Sequence, residues 1–235
     1  MESPANKLAP RQRTDKETRQ TGHNKQRAEN KADSGGGKVE GAGERSSAAW
    51  GVSGEGSIVV GQRSDGATNT GFRWTEAGGF SGIGTLGGDT LAYGISSDGS
   101  TIVGDSQNGN ADSRAFRWTQ AGGIQSLGTL NGGGSAEARA ANADGSVIVG
   151  YANDGANGNI SRAFRWTQAT GMITVEQWLR NYGVSIPKDV TSAAYGVSAD
   201  GNVVVGAGAP QLRLYRSCPG EGSWRYNQGG PDGCR

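Results

Sequence analysis

The sequence has little of what catalysis or membrane insertion usually requires. Its 235 residues contain one histidine, His23, and two cysteines, Cys218 and Cys234, both near the C-terminal end. Neither a Ser-His-Asp arrangement nor a His-based metal site can be assembled in the middle of the chain, so no enzyme activity is expected. No apolar run reaches the roughly 18 residues of a membrane-spanning helix. The N-terminal stretch also lacks an apolar segment of h-region length, so no signal peptide is expected from it. Whether Cys218 and Cys234 pair across their short loop is left open at this level.

Positive charge is scarce where order is expected. Residues 51–210 hold 9 Lys+Arg against 13 Asp+Glu, which argues against nucleic acid, because phosphate binding needs clustered cations. Residues 1–47 combine mixed charge with almost no aromatics. Such a segment cannot bury enough area to offset the entropy of ordering, so it is expected to be disordered and polar. Residues 211–235 are expected to be an irregular tail, which leaves 48–210 as the structured domain.

What is abundant is glycine, 43 residues, and it recurs in a repeat. "WGVSGEGSIVVG" (50–61), "YGISSDGSTIVG" (93–104), "AANADGSVIVG" (140–150) and "YGVSADGNVVVG" (195–206) are four copies of one unit. Each reads as strand, turn, strand. Asp98-Gly99, Asp144-Gly145 and Asp200-Gly201 supply the positive φ of a tight turn, and Glu55-Gly56 fills the slot in the first copy. Ser53, Ser96, Asn142 and Ser198 are placed to close the turn through their side chains. "FRWT" follows in three copies, and alternation puts Phe72 with Trp74, Phe116 with Trp118 and Phe164 with Trp166 on one strand face. Glycine-rich strands have little else to pack with, so these pairs are expected to supply most of the apolar area between sheets. "GIGTL" and "SLGTL" end in a segment expected to form a fourth short strand.

Four strands per repeat of this length point to an all-β, propeller-like array of four-stranded units. There are three full units and a partial fourth, as an open arc or with partial pairing at 203–215; open sheet edges would allow self-association. "TVEQWLRNYGV" breaks the pattern as one short helix near 174–183. Thr174 is placed to cap it, Gln177 to complete a capping box and Gly183 to end it, with an apolar stripe of Val175, Trp178, Leu179 and Tyr182. That helix is expected to plug or cap the end of the array, or to dock a partner. The Asn/Asp/Gly-rich loops before each FRWT read as solvated connections or as a ligand surface. They lack the acidic spacing of a calcium cage, and no metal or other cofactor is expected. Asp98, Asp144 and Asp200 recur as turn residues, not as a catalytic pair. Arg73, Arg117 and Arg165 recur once per unit, for internal pairing or for an anionic ligand.

"GVSADGNVVVG", "AFRWTQAGGIQSLGTL" and "VEQWLRNYGV" together resemble the HAF-type extracellular repeats of bacterial surface proteins, and are most similar to those in the passenger regions of proteobacterial autotransporters. The resemblance covers roughly residues 50–208. It implies secretion and display at the cell surface or outer membrane, in adhesion or another contact with an extracellular protein or glycan, and it carries no catalytic residues. It also implies a preceding signal peptide and a following β-barrel, whereas "PQLRLYRSCPGEGSWRYNQGGPDGCR" has the character of neither. Two other readings stand beside the adhesive one: a carbohydrate-binding, or less readily glycan-cleaving, propeller using loop Asn/Asp and an exposed Trp such as Trp118, and a truncated, non-functional remnant left by a shifted reading frame.

Overall fold

The computed structural model describes residues 46–186, 191–208, 213–216 and 225–226. These form four antiparallel sheets of four strands each, in chain order. The first holds β1 (Ser46–Val52), β2 (Ile58–Ser64), β3 (Asn69–Thr75) and β4 (Gly79–Gly82). The second holds β5 (Gly87–Ile95), β6 (Thr101–Asn108), β7 (Ser113–Thr119) and β8 (Gly123–Ser126). The third holds β9 (Ala136–Ala141), β10 (Val147–Asp154), β11 (Ile160–Thr167) and β12 (Gly171–Thr174), and the fourth β13 (Thr191–Val197), β14 (Val203–Gly208), β15 (Arg213–Arg216) and β16 (Arg225–Tyr226). One α-helix, α1 (Val175–Asn181), follows β12.

Every first hairpin is built alike. Gly56, Gly99, Gly145 and Gly201 take φ of 71°, 75°, 71° and 74°, which a side chain would strain. Within the turn Ser96 Oγ accepts the Thr101 amide at 2.9 Å, and Ser53, Asn142 and Ser198 do the same for Ile58, Val147 and Val203. The Asp98 carboxylate accepts the Ser100 amide and the Ser96 hydroxyl, Asp200 accepts from Asn202 and Ser198 in the same way, and Asp144 accepts both the amide and the hydroxyl of Ser146. The turns also tie neighbouring sheets together, since Gly54 N–H donates to Ser97 O and Asp98 N–H to Ala143 O.

The ring pairs fill the gaps between sheets. Phe116 and Trp118 pack on Val60 and Ile83 of the first sheet, and Phe164 and Trp166 on Val103, Ala115 and Leu127 of the second. Phe72 and Trp74 cluster with Ala49 and Val59 of their own sheet. Five of the six rings are buried and Trp118 is half-buried. Arginine in FRWT serves the opposite side: the Arg117 guanidinium lies 5.7 Å from the Trp166 ring centre of the next sheet.

Four expectations are corrected. The fourth strand is Gly79–Gly82, Gly123–Ser126 or Gly171–Thr174 rather than the Leu-Gly-Thr-Leu segment. A tight turn, closed by the Gly78 and Gly122 amides on Thr75 and Thr119 Oγ1, uses up the pairing before that segment is reached. Its leucines instead enter the core between the second and third sheets, where Leu127 and Leu130 are buried. The ordered domain starts at Ser46, inside the stretch 1–47, because Ser46 and Ser47 pair with Ser64 and Arg63; the rest of that stretch lies outside the described residues. Within 211–235, where an irregular tail is expected, β15 pairs the outer edge of β14 and β16 pairs β15, which completes the fourth sheet; Cys218 and Cys234 lie outside the described residues.

The fourth correction concerns α1. Thr174 caps it by accepting the Gln177 amide, but the Gln177 side chain donates to Asn181 Oδ1 instead of returning to the cap. Its stripe does not end the array. Val175, Trp178 and Leu179 are wedged among Val147, Val149 and Ala163 of the third sheet and Ala194 and Val204 of the fourth. Small residues on β13 leave a volume deficit there, and the helix fills it. Arg165 stacks on Trp178 at 4.9 Å, so the helix supplies the ring that Trp166 supplies one interface earlier.

Candidate functional site

The first strands β1, β5, β9 and β13 lie next to one another in succession, whereas β4 and β8 touch mainly their own sheets. Each first strand carries a β-bulge at the same place. Pairing jumps from Ala49 to Gly51, from Ala92 to Gly94, from Ala138 to Ala140 and from Ala194 to Gly196. The skipped residues are Trp50, Tyr93, Arg139 and Tyr195. A bulge re-aims the side chain it leaves unpaired, and here all four line one open cavity of about 400 Å³.

A glycine opposite each bulge makes it possible. A Cβ on Gly61, Gly104, Gly150 or Gly206 would lie 1.9, 1.9, 2.0 or 2.0 Å from the carbonyl oxygen of Ala48, Leu91, Glu137 or Ala193. The Val-Gly ending of every repeat is therefore the seat of the bulge, and the bulge is what turns the large residue toward the axis.

The Trp50 and Tyr93 rings lie 5.1 Å apart, tilted by 34°. Arg139 stacks over Tyr93 at 4.1 Å and over Tyr151 at 5.2 Å. Its Nη2 donates to Glu137 Oε2 and to the Tyr151 hydroxyl, each at 2.7 Å. Trp50 and Tyr195 remain 37% and 54% exposed, which leaves part of each ring open to a ligand.

Behind the ring sits Asp105, buried and accepting the Ser113 hydroxyl. Burial pushes its carboxyl above the ordinary range and the Glu137 charge adds to this, while the Ser113 hydroxyl pulls the other way. Burial, and then the charges of Asp105 and Glu137, raise the Tyr93 phenol well above its ordinary value. Asp144 and Asp200 shift down, held by Ser146 and by Ser198 with Asn202.

The two kinds of carboxylate act in opposite directions on stability. The lowered turn aspartates contribute stability that is present above about pH 4 and lost as pH falls below it. Asp105, with its raised folded value, binds its proton more tightly when folded, so its contribution weakens as pH rises from about 4 through that value. Asp105→Asn is accordingly expected to match or exceed the wild type in thermal midpoint at pH 7, with the gap closing toward pH 4. Melting curves across that range check this, and a gap that widens on acidification would contradict it.

The residues singled out from sequence play scaffold parts. Phe72, Trp74, Phe116, Phe164 and Trp166 are buried between or within sheets, and Asp98, Gly99, Asp144, Gly145, Asp200 and Gly201 form the turns. Trp118 is half-buried against Val60 and Ile124, so among the described residues the exposed tryptophan is Trp50 instead. The loop acids are occupied locally. Asp65 accepts the Ala67 and Thr68 amides, and Asp154 accepts from Asn131, Ala156 and Asn157. Among the described residues no group of three His, Cys, Asp or Glu side chains comes together, and no helix is long and apolar enough to cross a membrane. Sequence reading missed the axial four, although three of them stand as an aromatic three places before the turn Ser. Arg139 breaks that pattern and hides it.

No family model matches the chain, and no curated protein matches it either. Among solved structures, the chain is similar to TolB from Acinetobacter baumannii, at 18% identity over 72% of this chain and 39% of that one, with a TM-score of 0.49. It is also similar to a mutant of AofleA from Arthrobotrys oligospora, at 14% identity over 82% of this chain and 62% of that one, with a TM-score of 0.39. The chain thus spans less than two-thirds of the length of each.

Proposed function

We propose that this chain is a non-enzymatic, propeller-type binding domain, displayed at the bacterial cell surface, whose contact site is the axial cavity. The observation that carries the reading is the fourfold bulge. Four separate strands each spend an irregularity, and a glycine that tolerates no side chain, on turning one large residue into a shared opening. Two of those residues remain open to solvent, where core packing gains nothing from them. Surface display rests on the resemblance of residues 50–208 to extracellular repeats.

An array of extracellular-matrix proteins and glycans, probed with the wild type and with Trp50→Ala/Tyr195→Ala, tests the site. The double variant, checked for folding by its far-UV dichroism, is expected to lose the wild-type spots. Identical patterns for the two proteins would remove the axial cavity as the contact site. Antibodies against residues 50–208 that detect nothing on intact cells would remove surface display.

A further inference from the structure

We infer that the axial cavity takes an uncharged, ring-shaped polyol, a neutral pyranose of one or two units; this deepens the binding reading above and rests on it. Size is the first constraint. About 400 Å³ lies at the small end of ligand cavities and suits one or two sugar rings. An extended peptide would need a groove, whereas Trp50, Tyr93, Arg139 and Tyr195 surround a single opening.

Charge is the second constraint, and it works by exclusion in both directions. A cationic ligand would seek the aromatic faces, but the Arg139 guanidinium already occupies that position 4.1 Å over Tyr93 and 5.2 Å over Tyr151, and would repel a second cation. An anionic ligand would seek Arg139, but the Glu137 carboxylate is already paired to it at 2.7 Å and would repel a second anion. A neutral ligand meets neither penalty.

The remaining surface matches a sugar. Trp50 and Tyr195 offer apolar ring faces on which the C–H face of a pyranose packs. Hydrogen-bonding capacity is left over beside them. Arg139 commits only Nη2, so Nη1 has no hydrogen-bond partner among the described residues, and neither has the Tyr195 hydroxyl. A guanidinium donor and a phenol hydroxyl on residues lining one cavity serve the hydroxyls around a sugar ring, which both donate and accept.

Titration of the full chain, followed by Trp and Tyr side-chain NMR signals, tests this with five probes: neutral methyl glycosides, neutral disaccharides, an acidic monosaccharide, choline and a proline-rich peptide. The expected result is that one or more neutral sugars shift Trp50 and Tyr195, that affinity falls about tenfold in Trp50→Ala, and that Trp50→Phe recovers most of it. Shifts of the same two residues by choline, the acidic sugar or the peptide alone would overturn the ligand class and leave the binding site standing. No shift by any probe would overturn the sugar inference. If the array pattern were also the same for wild type and double variant, the binding reading would fall with it.

Discussion

Phe164→Ala is expected to cost about 3–5 kcal/mol, a large share of the roughly 5–15 kcal/mol that holds a domain of this size together. The ring is fully buried where the second and third sheets meet, among Val103, Leu127, Leu130 and Ile148. It also lies directly over Gly150, whose absent side chain would come within 2.9 Å of it. Truncation therefore leaves a cavity floored by backbone at Gly150, with no side chain on that side to fill it. Urea denaturation measures the loss, with Ile160→Ala, at a site 56% exposed, as the milder reference. A Phe164→Ala midpoint as high as the reference would mean that the sheets are not held together through this ring.

Gly104→Ala is expected to be nearly as damaging, at about 3 kcal/mol, although it adds only a methyl group. That methyl carbon would sit 1.9 Å from the Leu91 carbonyl oxygen and 2.9 Å from Phe116. The oxygen belongs to a hydrogen-bonded strand, so the pair must part, and the bulge that aims Tyr93 must open with it. Gly109→Ala is the control, because nothing lies within 4 Å of its Cβ position. Urea midpoints show the difference in stability, and the near-UV dichroism of the Trp50–Tyr93 pair is expected to weaken in Gly104→Ala alone. Equal midpoints for the two variants would contradict the close approach of β5 and β6.

Features set by local chemistry were legible in the sequence. Asp-Gly turns follow from the need for positive φ at Gly99, Gly145 and Gly201, and the cap of α1 from a Thr ahead of an apolar stripe. The core pairs followed from a period of two along FRWT. The bulges were not legible, because an extra residue in one strand shows only when its partner is known, and the period-two pattern of "YGIS" looks the same with or without it. The place of α1 was hidden for a related reason. Its stripe declares an apolar face, but the gap it fills is defined by Ala194 and Val204 on another sheet. The fourth strand was misplaced because "LGTL" is apolar and "GFSG" is not, although the turn before them decides which pairs.

Cross-peaks between side-chain protons of Trp50, Tyr93 and Arg139 in a nuclear Overhauser spectrum test the central claim most directly, since these residues are far apart in sequence. With ring centres 5.1 Å apart, and the guanidinium carbon 4.1 Å from the Tyr93 ring centre, both contacts are expected to give clear signals. A folded sample with resolved signals for all three residues and no cross-peak between them would contradict the convergence of the first strands on one axis.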